Sequence, residues 1–382
     1  MTRIVRVATV VALGLMVGGC WGITPTDERG LVSVVAVDRA PQGYQVTLGI
    51  VNPLSLPKPG SSGSGGSSSP PLLVRSITAP SVADALYAAQ EHSQLRLDFA
   101  HVDSVLVSEE VARAGLYPTL DLFDTSLENT PSAWLIVTRG EPAGNEIRMG
   151  QAVLPQLGQA TNLLVERARL YSALQAERVQ TFLSLAQVPG QSPVTIGMRV
   201  DQTNGGGAEA SLRVDGLAVF RGDRLVGWLS DEAALGWAML AGRNGRLALP
   251  SVAGARFAVE VRAVRRHADV RPGPAIAVQT SVDGQLTAVQ GVATDFLAQP
   301  KQTDDVETAA AAQIVRVEQL ALTTCQRFGA DPFGYGELVR VRDPRDWPRE
   351  EASWPTEGFR RSVMSLSARV RLRGYGLDMR HP

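Results

Sequence analysis

The apolar run Val7–Val17, closed by Val17-Gly18-Gly19-Cys20, sets the terms for the rest of the chain. Arg3 and Arg6 precede it as a positive n-region, and the run has the length of a signal-peptide core. It is too short to cross a bilayer, which takes about 20 apolar residues. An aliphatic residue, two small residues and a cysteine at its end form a lipobox, which predicts cleavage before Cys20 and diacylglycerol on its thiol. Each buried methylene contributes roughly 0.8 kcal/mol, so two acyl chains hold firmly where one does not. No later segment offers about 18 consecutive apolar residues. The body after Cys20 must therefore bury its apolar side chains in its own cores, on a lipid tether.

The whole chain has 382 residues, more than one compact core usually absorbs, so two or three domains are expected. Hydrophobic residues at 44% and charged residues at 20% are ordinary for a folded chain. A formal charge of −1 gives no electrostatic reason to expect nucleic acid as partner. If Cys20 carries lipid, Cys325 has no intramolecular partner, so no internal disulfide is expected and Cys325 reads as a small buried hydrophobe on a helix.

Leu31–Val37 and Tyr44–Val51 read as strands joined by a loop at Asp38–Gly43. The Gly/Ser/Pro-rich stretch of about 56–71 reads as a disordered loop, and it lacks the Gly-Lys-Ser/Thr ending of a phosphate cradle. Leu72–Ile77 follows as a strand, then a helix capped by Ser81 with Val82, Ala85, Leu86 and Ala89 on one face. Val102–Val107 is a buried strand, Ser108–Ala114 a helix ended by Gly115, Pro118–Leu127 a helix, Ala133–Thr138 a strand. Leu157–Leu185 reads as mostly helical. Asn204-Gly205-Gly206-Gly207 marks the expected boundary between an N-terminal region, 20–203, and a C-terminal region, 204–376, with 1–19 as signal peptide and 377–382 as a tail.

Beyond it, Leu212–Phe220 and Arg224–Leu229 form a hairpin, and Ser230 or Asp231 caps a helix to Ala241. Arg256–Arg266, Ala275–Val282 and Leu286–Val292 read as strands, Asp304–Phe328 as a long helix, Val363–Arg373 as a final strand. Helices and strands alternate without a βαβ period, which predicts an α+β fold of two to three small mixed domains with largely antiparallel sheets and packed helices.

Chemistry is sparse. The histidines (His92, His101, His267 and His381) include no pair at metal-ligand spacing, and there is no His-Glu-x-x-His or Gly-x-Ser-x-Gly pattern. No catalytic, metal or cofactor residue is assigned. His101 reads as a hydrogen-bonded structural histidine. Asp331-Pro332-Phe333-Gly334-Tyr335-Gly336 follows the long helix, its glycines admitting unusual backbone angles and its aromatics anchoring the turn. Trp347 and Trp354 read as packed beneath it. Asp331, Phe333, Gly334, Tyr335, Gly336, Trp347 and Trp354 are thus a structural motif or a partner-contact motif.

Four segments in order resemble one family. These are Gly19-Cys20-Trp21-Gly22 with Asp27-Glu28; Phe99-Ala100-His101-Val102 leading to Glu109–Gly115; Val214–Arg221 with Leu225–Leu229; and Gly329–Glu337 followed by Pro344, Trp347 and Trp354. The chain resembles the Ger(x)C lipoproteins, the C subunits of spore germinant receptors, departing from the pattern at Gly22 and in its longer Gly/Ser loop. The resemblance implies a non-enzymatic α+β subunit needed for nutrient-triggered spore germination. Its lipid on Cys20 would hold it to the outer face of the spore inner membrane, in company with integral-membrane A and B subunits and without a cofactor. The competing expectation is a solute-binding lipoprotein feeding a transporter, which requires two doubly wound lobes around a cleft. A lipid-anchored envelope hydrolase would need a catalytic constellation that these residue patterns do not supply.

Overall fold

The computed structural model describes residues 29–51, 72–125, 132–153, 165, 174, 176–202, 210–249, 256–270, 275–290 and 300–375. The signal peptide, Cys20, the 56–71 loop, Asn204–Gly207 and the tail 377–382 lie outside the described residues.

The first half builds on strands β1 (Arg29–Ala40), β2 (Gly43–Val51), β3 (Leu72–Ala79), β4 (Arg96–Asp98), β5 (Ser104–Ser108), β6 (Trp134–Thr138), β7 (Glu177–Arg178), β8 (Val194–Gln202), β9 (Ala210–Arg221) and β10 (Arg224–Leu229). They form one ten-stranded sheet in the order β10-β9-β8-β6-β5-β1-β2-β3, with β4 on β1 and β7 on β6. Its centre is parallel: Val37 pairs with Val107, Val107 with Val137, and Val137 with Gly197. Both wings are antiparallel. Central strands are covered on both faces, which is why β1 reads as an almost unbroken valine run. Val35 and Val37 face one core, Val34 and Ala36 the other.

The Val35 face is covered by α1 (Val82–Glu91), α2 (Glu109–Ala114), α3 (Tyr117–Thr125) and α5 (Val179–Ala186). The other face takes α4 (Ala143–Val153) through Ala143 and Ile147. Caps explain where two of these helices begin. Ser81 Oγ accepts from Asp84 N at 3.1 Å, and Ser108 Oγ accepts from Val111 N at 3.5 Å. Gly115, at φ 118°, ends α2 in a conformation that glycine adopts without strain.

The second half adds α6 (Asp231–Leu240) and a four-stranded sheet in the order β11 (Gly245–Ala248), β12 (Arg256–Val270), β13 (Ala275–Gln290), β14 (Val363–Tyr375). Helix α7 (Pro300–Phe328), about 43 Å long at 1.5 Å per residue, packs on this sheet and is part of the crossover from β13 to the parallel β14. Short helices α8 (Tyr335–Arg342), α9 (Trp347–Glu350) and α10 (Phe359–Arg361) fill the return, with one π-helical turn at Trp354–Gly358. A single core runs from the inner face of the first sheet through α6 and α7 to the second.

Gly236 sets the α6–α7 approach, because a Cβ there would overlap the Val317 carbonyl. Gly236→Ala is therefore expected to destabilise the fold by roughly 3 kcal/mol, despite alanine's better helix propensity. Urea unfolding reads this directly, and a neutral or stabilising result would show that the two helices are not so closely packed.

The α+β expectation holds, with differences in detail. The first hairpin turns at Pro41-Gln42 alone, because Asp38, Arg39 and Ala40 continue β1. The two strands expected at 275–292 are one, β13, whose register against β14 shifts between Gly284 and Leu286. Within 157–185, β7 interrupts the expected helix: Leu135 pairs with Glu177 on the edge of β6. The expected boundary at Asn204–Gly207 falls in sequence between β8 and β9, which pair antiparallel, so one sheet draws strands from both sides of it. His101 lies exposed on the turn before β5. Two doubly wound lobes, as a solute-binding lipoprotein requires, are not the arrangement found among the described residues.

Candidate functional site

The seven motif residues come together where the second half meets the first. Helix α7 stops at Phe328, and Gly329 at φ 61° turns the chain back so that Ala330 N donates to Cys325 O. Asp331 follows, fully buried. Its Oδ1 accepts from Phe333 N at 3.2 Å, and its Oδ2 accepts from Gly336 N at 2.8 Å and from Trp354 Nε1 at 2.9 Å. Gly334, at φ 72°, makes the left-handed step that starts α8.

This knot grips distant segments. Ser192 N donates to Asp331 O at 2.9 Å, and Ser192 Oγ accepts from Asp331 N at 3.0 Å. Trp237 Nε1 donates to Pro332 O at 3.2 Å, and Arg266 donates to Phe333 O at 2.9 Å and to Leu240 O at 3.0 Å. Phe333, Tyr335 and Phe359 cluster with centroids 5.4–6.4 Å apart, while Trp347 and Trp354 lie 5.9 Å apart. Gly190 admits a close contact: a Cβ there would sit 2.6 Å from Trp347 and 2.9 Å from Gly336.

The electrostatics are those of a sealed site. Burial pushes the Asp331 carboxyl above the usual carboxylate range, against the lowering effect of Trp354 and the backbone donors. Burial, and then the Asp331 charge, push the Cys325 thiol well up, so it is no thiolate nucleophile at neutral pH. Asp331 spends its acceptor capacity on structural donors. What the knot can do is mechanical: it fixes the turn before β8 to the end of α7. Six of the seven residues are buried and Gly334 is half-buried. The surface they support is the exposed stretch Arg340–Asp346, in which Val341 is 67% exposed.

A second polar site, not anticipated from sequence, lies at the carboxyl ends of the parallel strands. Asp38, at the end of β1, accepts from Ala143 N at 2.7 Å and Gly144 N at 2.8 Å, capping α4. Asp38, Ser108, Glu109 and Glu141 line a cavity of about 280 Å³. In the first turn of α4, Glu146 is fully buried, and neither carboxyl oxygen has a hydrogen-bond partner among the described residues. Burial first, then the charges of Glu141 and Asp38, raise its pKa to about 8. Beside the cavity Asp215 gathers Arg139, Arg199 and Arg213 at 3.5–3.8 Å, and Arg139 lies 5.0 Å over the Trp228 ring. Asp38 reads as a turn residue in the sequence, and Pro142-Ala143-Gly144, which opens α4, was the available signal for the rest. No group of three or more metal-ligating side chains occurs among the described residues.

Residues 23–200 match the spore germination protein N-terminal domain, and residues 215–376 match the spore germination B3/GerAC-like C-terminal domain. Spore germination protein KC of Bacillus subtilis (strain 168) is 24% identical over 402 aligned positions, covering 99% of this chain and 97% of that protein. Putative spore germination protein YfkR of the same organism is 25% identical over 224 positions, 57% of this chain and 56% of that protein. The crystal structure of the GerBC protein superposes with a TM-score of 0.54 at 16% identity, over 89% of this chain and 96% of that one, which is a likeness of fold.

Proposed function

The chain belongs to the Ger(x)C family of spore germination proteins, and from that premise we propose that it is a non-enzymatic, lipid-tethered C subunit of a nutrient germinant receptor. The observation that carries the reading is the match to both family domains in order, over nearly the whole chain. The polar centre at Asp331 supports a mechanical role, because its hydrogen bonds all go to the fold itself. The partners are integral-membrane A and B subunits, and the place of action is the outer face of the spore inner membrane. Lipid on Cys20 confines the folded body to two dimensions and raises its effective concentration beside those partners. Affinity between subunits can then be modest.

Co-purification from detergent-solubilised spore membranes tests the partnership. An affinity tag on the chain's C terminus is expected to retrieve an A-type and a B-type subunit together, and retrieval of the chain alone would contradict it. The tether has its own test. Cys20→Ala should release the protein from the membrane fraction without changing its urea midpoint. If the variant stays membrane-bound after a high-salt wash, the acyl group is not what holds it.

A further inference from the structure

At the end of the first sheet where β1 begins, an open cavity of about 570 Å³ lies between the β2–β3 edge and the turn after α1. Ile50, Leu73, Val74 and Leu95 form the apolar part of its lining, and Arg75, His92, Ser93 and Gln94 the polar part. No acidic side chain is among the residues that line it. Arg75 donates to the His92 carbonyl at 2.7 Å, which holds its guanidinium at the rim, and Leu73 is 39% exposed there. The register fixes the location: Arg29 pairs with Arg96 on β4, and Ile50 pairs with Leu73. The nearby carboxylates are Asp98, 3.3 Å from Arg29, and Glu91 at the end of α1.

Cys20 stands nine residues before Arg29, so the tether spans at most about 30 Å even when fully extended. The opposite end of β1, at Ala40, is about 36 Å further on at the rise of a strand. The Arg29 end is thus the one the lipid keeps near the bilayer. Aliphatic side chains beside a guanidinium, an imidazole and two uncharged hydrogen-bonding groups match the border of a phospholipid, where glycerol and acyl carbons meet a phosphate.

We propose that this cavity faces the bilayer and seats the headgroup of an anionic phospholipid, orienting the body on its tether. This rests on lipidation of Cys20. The test uses the acylated mature protein in vesicles of phosphatidylcholine and phosphatidylglycerol, with a thiol-reactive fluorophore placed by Ser93→Cys at the cavity or by Gln42→Cys at the far turn. Cys325 is fully buried and stays unlabelled, and Cys20 is blocked as a thioether.

Nitroxide-headgroup lipids are expected to quench the probe at 93 strongly and the probe at 42 little. Arg75→Glu, or vesicles of phosphatidylcholine alone, should weaken the quenching at 93 about fivefold. Equal quenching at both positions, stronger quenching at 42, or no response to either change would overturn the proposed face while leaving the tether intact. A labelled protein that does not stay with the vesicles overturns the tether itself, and with it the proposal.

Discussion

Asp331→Ala is expected to lower global stability by about 3–5 kcal/mol, among the largest effects of any single substitution in the chain. The variant strands three buried donors, Phe333 N, Gly336 N and Trp354 Nε1. Each costs roughly 1–3 kcal/mol when left without an acceptor. Asp331→Asn should lose less. Its carbonyl can still serve Gly336 and Trp354, and only Phe333 N then meets an amide N–H. Urea unfolding followed by tryptophan fluorescence gives the order wild type, Asn, Ala. Hydrogen exchange should show a second effect, loss of protection at Ser192, whose N–H donates to the Asp331 carbonyl. An alanine variant within 1 kcal/mol of wild type would remove Asp331 from its place as the keystone between the halves.

The second large effect is a dependence on pH set by Glu146. Its folded pKa is about 8, against 4.5 for the free side chain. Between those values the folded chain holds a proton that the unfolded chain has released. Stability from this group is therefore fully present below pH 4.5 and is lost as pH rises towards 8. The total is at most about 5 kcal/mol, since each pKa unit corresponds to roughly 1.4 kcal/mol. Relaxation of α4 will reduce it. Glu146→Gln cannot ionise, so the stability difference between variant and wild type should grow in the variant's favour from pH 5 to pH 9. Parallel curves for the two proteins would mean that Glu146 is solvated or paired. Ionisation next to Asp38, which caps α4, also predicts that exchange at the α4 amides rises first as the pH goes up.

Much of this architecture is legible in the sequence, and the reasons differ from place to place. Ser81, Ser108 and Gly115 are local signals whose chemistry is complete within a few residues, so the helices they bound come out correctly. The aromatic turn after α7 is legible because glycine at 334 and the spacing of Phe333 and Tyr335 admit few other conformations. What fails is long-range. The parallel pairing of β1, β5, β6 and β8 leaves no periodic trace, since strands buried on both faces do not alternate. Glu177 and Arg178 have helical propensity but are drawn onto the edge of β6 by tertiary pairing.

The motif at the knot is legible as residues but not as a circuit. Nothing local says that the Trp354 indole reaches Asp331, or that Ser192 closes the loop from well over a hundred residues away. The polar crevice at Asp38 and Glu146 is hidden for the same reason. Its parts come from β1, α2 and α4, and only the parallel centre of the sheet brings their ends together. A cap that lies more than a hundred residues from the helix it caps cannot be read from a window of the sequence.

As the proposed C subunit, this chain is expected to be indispensable to the nutrient response. The most direct test deletes its gene in the spore former that carries it and compares two triggers on the same spores. Release of dipicolinate in response to the receptor's nutrient is expected to disappear, while germination triggered by calcium dipicolinate continues at the wild-type rate. Restoring the full chain should restore the nutrient response. Normal nutrient germination in the deletion, with no second copy of the gene present, would contradict the account.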